Sequence, residues 1–131
     1  MKILLDTHIL LWDLAATGSL PKKAKTVIQA PENTLYYSAV SAFEVELKHQ
    51  ARPENLSMTA EDLISACEKS DMTLLYLELR HIYCLENIDP DAGNPGPFDR
   101  LLLAQAMSEG MVLLTHDQRI IRRKLPFVMG C

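Results

Sequence analysis

Two apolar runs, Lys2-Ile-Leu-Leu5 and Met111-Val-Leu-Leu-Thr115, constrain the fold more than any other feature, because neither alternates with polar residues. A strand with one wet face alternates; a strand covered on both faces does not, so these runs predict central parallel strands with helices on either side. Each run stops close to an aspartate, Asp6 after the first and His116-Asp117 after the second, and a helical pattern follows. The order strand, acid, helix therefore occurs twice. In open α/β sheets ligands bind outside the carboxyl ends of the strands, so both acids stand at a useful edge, although Asp6 is equally well placed to cap the helix behind it.

The remaining elements follow from local patterning. Residues 22–30 read as a short basic helix ended before Pro31, with Lys22, Lys23 and Lys25 on a solvated face, and residues 34–38 are rich in strand formers. Residues 38–48 predict a helix whose apolar stripe is Val40, Phe43 and Leu47. At roughly 100° per residue, Glu44 lies about 40° from the centre of that stripe. An acid in mid-helix on the core side cannot be a cap, and a buried carboxylate is costly unless paired or bound to a cation. Lys48, four residues on, offers an ordinary pair. Thr59 and Asp62 form a capping pair for a helix running to about residue 70; residues 72–77 read as a third strand and residues 78–87 as a helix. His81 and Cys84 on that helix read as packing or surface residues.

Residues 88–97 form a Pro/Gly-rich loop that would rim the acid after it. A helix starting near Phe98 puts Asp99, Leu102, Leu103 and Ala106 on one face, so the carboxylate heads an apolar stripe. Taken alone Asp99 reads as a helix cap. Beyond Asp117, Arg119, Arg122, Arg123 and Lys124 make the best phosphate-binding cluster in the chain, with a solvated face as its alternative, and residues 127–129 suit a last strand.

With 131 residues the chain fits one domain. Its formal charge of −4 argues against holding nucleic acid by an overall positive field, unless four of the acids form one cation site, which would leave the rest of the surface neutral. The first apolar run ends at Asp6, too soon for a signal peptide, and no stretch is long enough to span a membrane. Three cysteines without C-x-x-C spacing suggest neither a disulfide framework nor a zinc site. A cytoplasmic location fits best.

Parallel topology would bring Asp6, Glu44, Asp99 and Asp117 to one edge. Four carboxylates repel one another, so the arrangement makes sense only with a compensating cation, and an all-oxygen set selects a hard ion such as Mg²⁺ or Mn²⁺. Two-ion sites of this kind serve phosphodiester hydrolysis. No nucleophilic triad or Gly-rich phosphate loop competes. A phosphoacceptor receiver domain is disfavoured, since the first strand lacks paired acids and no Lys closely follows the fourth.

The chain resembles the PIN-domain ribonucleases, and among them the VapC-type toxins of bacterial toxin–antitoxin pairs. The resemblance rests on Leu4-Leu5-Asp6-Thr7-His8, on Ser38-Ala39-Val40-Ser41 through Glu44, on Pro97-Phe98-Asp99-Arg100-Leu101-Leu102 with Ala104-Gln105-Ala106, and on Thr115 through Asp117. It implies a single PIN-like domain over residues 1–131, with a central, mostly parallel sheet flanked by helices. By the same resemblance Asp6, Glu44, Asp99 and Asp117 would be the catalytic, metal-binding acids, Thr115 a polar partner beside Asp117, and Mg²⁺ or Mn²⁺ the cofactor. RNA would be the substrate, with a protein antitoxin and a second copy of the chain as partners. The competing reading is a non-catalytic module of the same fold that binds RNA or an antitoxin-like protein. Gly96 stands where the family often has a further acid, removing one possible ligand, and Phe43 replaces a frequent Trp.

Overall fold

The computed structural model describes residues 1–90 and 96–131. The first apolar run forms β1 (Lys2–Leu5) at the centre of a five-stranded sheet, between β2 (Thr34–Ser38) and β4 (Val112–Thr115). The outer positions go to β3 (Thr73–Leu75) and β5 (Val128–Gly130), giving the order β3-β2-β1-β4-β5 with every pairing parallel. Ile3 stands opposite Leu35 on one side and Val112 on the other.

The lack of alternation in β1 has a direct packing cause. Ile3 and Leu5 enter one core with Ile9 and Leu10 of α1 (Thr7–Ala15), Ala24 of α2 (Lys22–Gln29), Val45 of α3 (Ala39–Ala51), and Leu63 and Cys67 of α4 (Ala60–Lys69). Leu4 enters a second core on the other face with Leu113, Ile120 of α7 (Gln118–Ile121), and Leu102, Leu103 and Ala106 of α6 (Pro97–Glu109). Ile3, Leu4 and Leu5 are wholly buried, each worth about 1.5–3 kcal/mol of apolar burial. The short helix α5 (Leu79–Cys84) and a 3-10 turn at Leu85–Asn87 lean on α6.

Chain order moves outward from β1 to β3 and then returns to β4 on the opposite side. The switch point therefore lies between β1 and β4, where their carboxyl ends open the crevice that binds ligands in such sheets. Asp6 and Asp117 flank it.

Several local expectations change. The third strand covers only residues 73–75, and Tyr76 and Leu77 beyond it are exposed. On α3 the buried side is Val40, Ser41, Ala42, Glu44 and Val45, whereas Phe43 is 58% exposed and Leu47 is 42% exposed. Phe43 instead meets Phe98 of α6 edge to face at 5.6 Å. Asp99 does not cap its helix: Gly96 is the N-cap, Pro97 opens the first turn, and Asp99 stands inside that turn. Of the loop expected over residues 88–97, residues 91–95 lie outside the described part of the chain. No helix among the described residues is long and apolar enough to cross a membrane.

Candidate metal centre

Asp6 leaves β1 in extended conformation and caps α1 by accepting the Thr7 amide at 2.7 Å, so the capping reading of this residue holds. Its other oxygen accepts the Thr115 hydroxyl at 2.6 Å. That hydroxyl also accepts the Asp117 amide at 3.1 Å, so one buried threonine ties the two strand-end aspartates together. Burial raises the pKa of Asp6, and the Thr115 bond, the His8 charge and the Thr7 amide work against that rise.

Glu44 is buried, as its helical position predicts, and one oxygen pairs with Lys48 at 2.6 Å. Its Oε1 is buried without a hydrogen-bond partner among the described residues. A buried acceptor left bare costs about 1–3 kcal/mol, so the arrangement calls for a donor or a cation at that point. Beside it, the hydroxyls of Thr7 and Ser41 share a hydrogen bond at 2.8 Å, which locks the start of α1 to α3.

Asp99 feels the three other acids. Burial first, then the charges of Asp6, Glu44 and Asp117, push its pKa up to about 6, with Arg119 pulling it down. Asp117 lies on the other side of the ledger: Arg119 holds its carboxyl below the usual range through contacts at 2.8 and 3.2 Å and through its backbone amide at 2.9 Å. The same guanidinium approaches Asp99 at 4.0 Å. Among the described residues no three of these acids bring ligand oxygens within 4.8 Å of one another. The oxygen-only donor set and the bare Oε1 of Glu44 both fit a hard divalent ion.

The basic cluster does not act as one face. Arg119 turns back onto the acids, and Arg123 donates to the Asp89 carbonyl at 3.2 Å, leaving Arg122 and Lys124 exposed.

Sequence reasoning missed a buried polar chain under the sheet. Ser38 donates to Gln105 Oε1 at 2.5 Å, and Gln105 Nε2 reaches the Tyr76 carbonyl and His81 Nδ1, each at 3.3 Å. His81, expected as a packing or surface residue, is fully buried and contacts Glu109 at 2.7 Å. Glu78, His81 and Glu109 do bring ligand atoms within 4.8 Å. They are nonetheless a poor metal site. The Glu78 amide donates to His81 Nδ1 at 3.0 Å, which places the ring proton on Nε2, where a metal would need a lone pair. Arg80 already bridges both carboxylates. At about 1.5 Å per residue this group lies about 15 Å along α6 from Asp99.

A sequence profile of the PIN domain matches residues 3–125. Comparison with curated protein sequences gave no match. Among solved structures, a chain of VapBC2 from Rickettsia felis, bound to a DNA fragment from its promoter, superposes with a TM-score of 0.71 at 16% identity, covering 100% of this chain and 99% of that one. A chain of VapBC-1 from nontypeable Haemophilus influenzae is 27% identical, with a TM-score of 0.61 over 93% of this chain and 94% of that one. A chain of DNA-bound VapBC from Salmonella typhimurium gives 0.66 at 19% identity, over 100% and 97%.

Proposed function

This chain belongs to the PIN-domain family, and on that premise we propose that it is a Mg²⁺- or Mn²⁺-dependent endoribonuclease, the toxin of a type II toxin–antitoxin pair. The observation that carries the reading is the buried, unpartnered Oε1 of Glu44 beside an Asp99 whose pKa three other acids help to raise. Asp6, Glu44, Asp99 and Asp117 would hold the cation. When bound, it supplies Lewis-acid stabilisation of charge developing on a phosphodiester and makes water a better nucleophile.

The chain's own residues do the rest. Thr115 and the Thr7 amide fix both oxygens of Asp6, so this ligand arrives in one orientation. The Thr7–Ser41 bond holds α1 against α3, and with it the spacing of Asp6 and Glu44. Arg119, 2.8 Å from Asp117 and 4.0 Å from Asp99, stands at the edge of the acids, where its fork of donors would meet a phosphate oxygen. Similarity to VapBC complexes supports a protein antitoxin as partner and a cytoplasmic site of action. Exposed Tyr76, Leu79 and Tyr83 around α5 supply an apolar face that a second copy would cover in a homodimer.

The test is incubation of the purified protein with mixed cellular RNA in Mg²⁺ or Mn²⁺, beside EDTA and Asp6→Asn controls. Cleavage confined to the wild-type protein with metal supports the reading; equal degradation in every tube overturns it. Thr115→Val should weaken Mn²⁺ binding by about 10- to 100-fold, the usual effect of removing a hydrogen bond behind a ligand. Calorimetric titration measures it.

A further inference from the structure

We propose that the cavity beside the acids is a base-stacking subsite for single-stranded RNA, and that the strand leaves it over Trp12 toward Lys22 and Lys25. The inference rests on the nuclease reading above and adds to it which part of the substrate is gripped, and by what.

The cavity holds about 290 Å³ and is lined by Asp6, His8, Trp12, His116, Asp117 and Arg119. Two of the proposed ligands thus form one part of its wall and three aromatic rings another. His8 and Trp12 are four residues apart on α1, with centroids 6.0 Å apart and planes at 39°. The His116 ring meets Trp12 at 5.5 Å and 68°. The set is held in place: Asp6 caps the helix that carries two rings, His116 Nδ1 donates to the Cys131 carbonyl, and Trp12 packs on the core beneath. His8 and His116 are exposed and Trp12 is half-buried, so aromatic surface is left available rather than consumed in the core.

An acid-rich site attracts a polyanion poorly through charge alone. Aromatic rings attract the substrate by the face of a base, which carries no charge and which every nucleotide possesses. The base must be unstacked, so the subsite selects single strands over duplex. Trp12 also lines a second cavity of about 400 Å³, shared with Lys22 and Lys25 of α2 and with Asp13. The lysines read in the sequence as a solvated face therefore border the same tryptophan as the acids. A strand with its scissile phosphate at the carboxylates and the adjoining base against Trp12 would bring its next phosphates to these cations.

The chain contains one tryptophan, so its emission reports on this site directly. The experiment titrates the protein in Ca²⁺ with a short, end-labelled oligoribonucleotide, following Trp emission and label anisotropy together, against an abasic oligomer of the same length. Saturable quenching by the base-bearing oligomer, with the abasic one binding at least about ten-fold more weakly, is expected. Trp12→Ala should lower affinity by about 5- to 100-fold, the equivalent of one base–aromatic stack, and Trp12→Phe by much less. Since Trp12 also supports the core, the exposed His8 provides a second route, His8→Ala being expected to weaken binding without moving the melting temperature. Lys22→Ala with Lys25→Ala should reduce the salt dependence of binding while leaving quenching intact. Binding with unchanged Trp emission, or equal affinity for the abasic oligomer, overturns the stacking subsite and leaves the nuclease reading standing. A wild-type protein that neither binds nor cleaves RNA removes both.

Discussion

Asp99→Asn is expected to cut metal-dependent RNA cleavage by at least about a thousand-fold, since a ligand of a Lewis-acid centre supports several kcal/mol of charge stabilisation. The same substitution should make the metal-free protein more stable at pH 7.5. Burial and three neighbouring carboxylates push the Asp99 pKa up to about 6, above the roughly 3.9 of an unfolded aspartate. Between these values the native state binds more protons than the unfolded one, so stability falls as pH rises through this window and stays lower above it. Asn carries no charge to repel. After allowance for solvent screening, the gain is on the order of 1–2 kcal/mol, or several degrees in melting temperature. At pH 4 both side chains are neutral and the difference should vanish. Melts in EDTA at the two pH values measure this, and a loss of stability at pH 7.5 would contradict the repulsive cluster.

Gln105→Ala should destabilise the protein by about 3 kcal/mol, combining a buried cavity with polar groups left bare. For a domain of this size that corresponds to a fall of about 10 °C. Gln105 is fully buried and uses both ends of its amide, accepting from Ser38 and donating toward Tyr76 and His81. Ser38 is also the N-cap of α3, accepting the Val40 amide at 2.9 Å. Loss of Gln105 therefore frees the hydroxyl that sets where the helix carrying Glu44 begins. A weakening of Mn²⁺ binding by about ten-fold should accompany the lost stability. Gln105→Leu separates the two effects, because it refills most of the volume and leaves the hydrogen bonds unmade. Denaturant unfolding and metal titration of both variants provide the comparison.

The sheet was legible because its central strands are apolar on both faces, a pattern that needs covering helices, and Asp6 could be placed at the strand end from sequence alone. Asp99 remained ambiguous until Gly96 proved to be the N-cap and Pro97 the first helical residue. Glu44 was correctly placed on the buried side through a partly mistaken stripe. Ranking residues by hydrophobicity favoured Phe43 and Leu47, whereas close packing on the sheet selected the small Ser41 and Ala42. The Gln105 chain left no local trace, since its partners stand 24 to 67 positions away. The basic residues were visible in the sequence but their orientations were not: α7 is only four residues long, and Arg119 folds onto its own cap, Asp117.

Burial of both faces of β1 has a consequence for how the strand finds its place. Where one face is wet, sliding by a single residue turns the apolar set outward, and hydrophobicity rejects the error. With Ile3, Leu4 and Leu5 all buried, such a slide would keep oily groups on both sides and carry little penalty of that kind. What it would do is drag Asp6 between the layers, away from the Thr7 amide and the Thr115 hydroxyl. The hydrogen bonds of Asp6 thus favour the observed register over its one-residue neighbour, and the residue proposed to grip the metal also marks where the central strand ends.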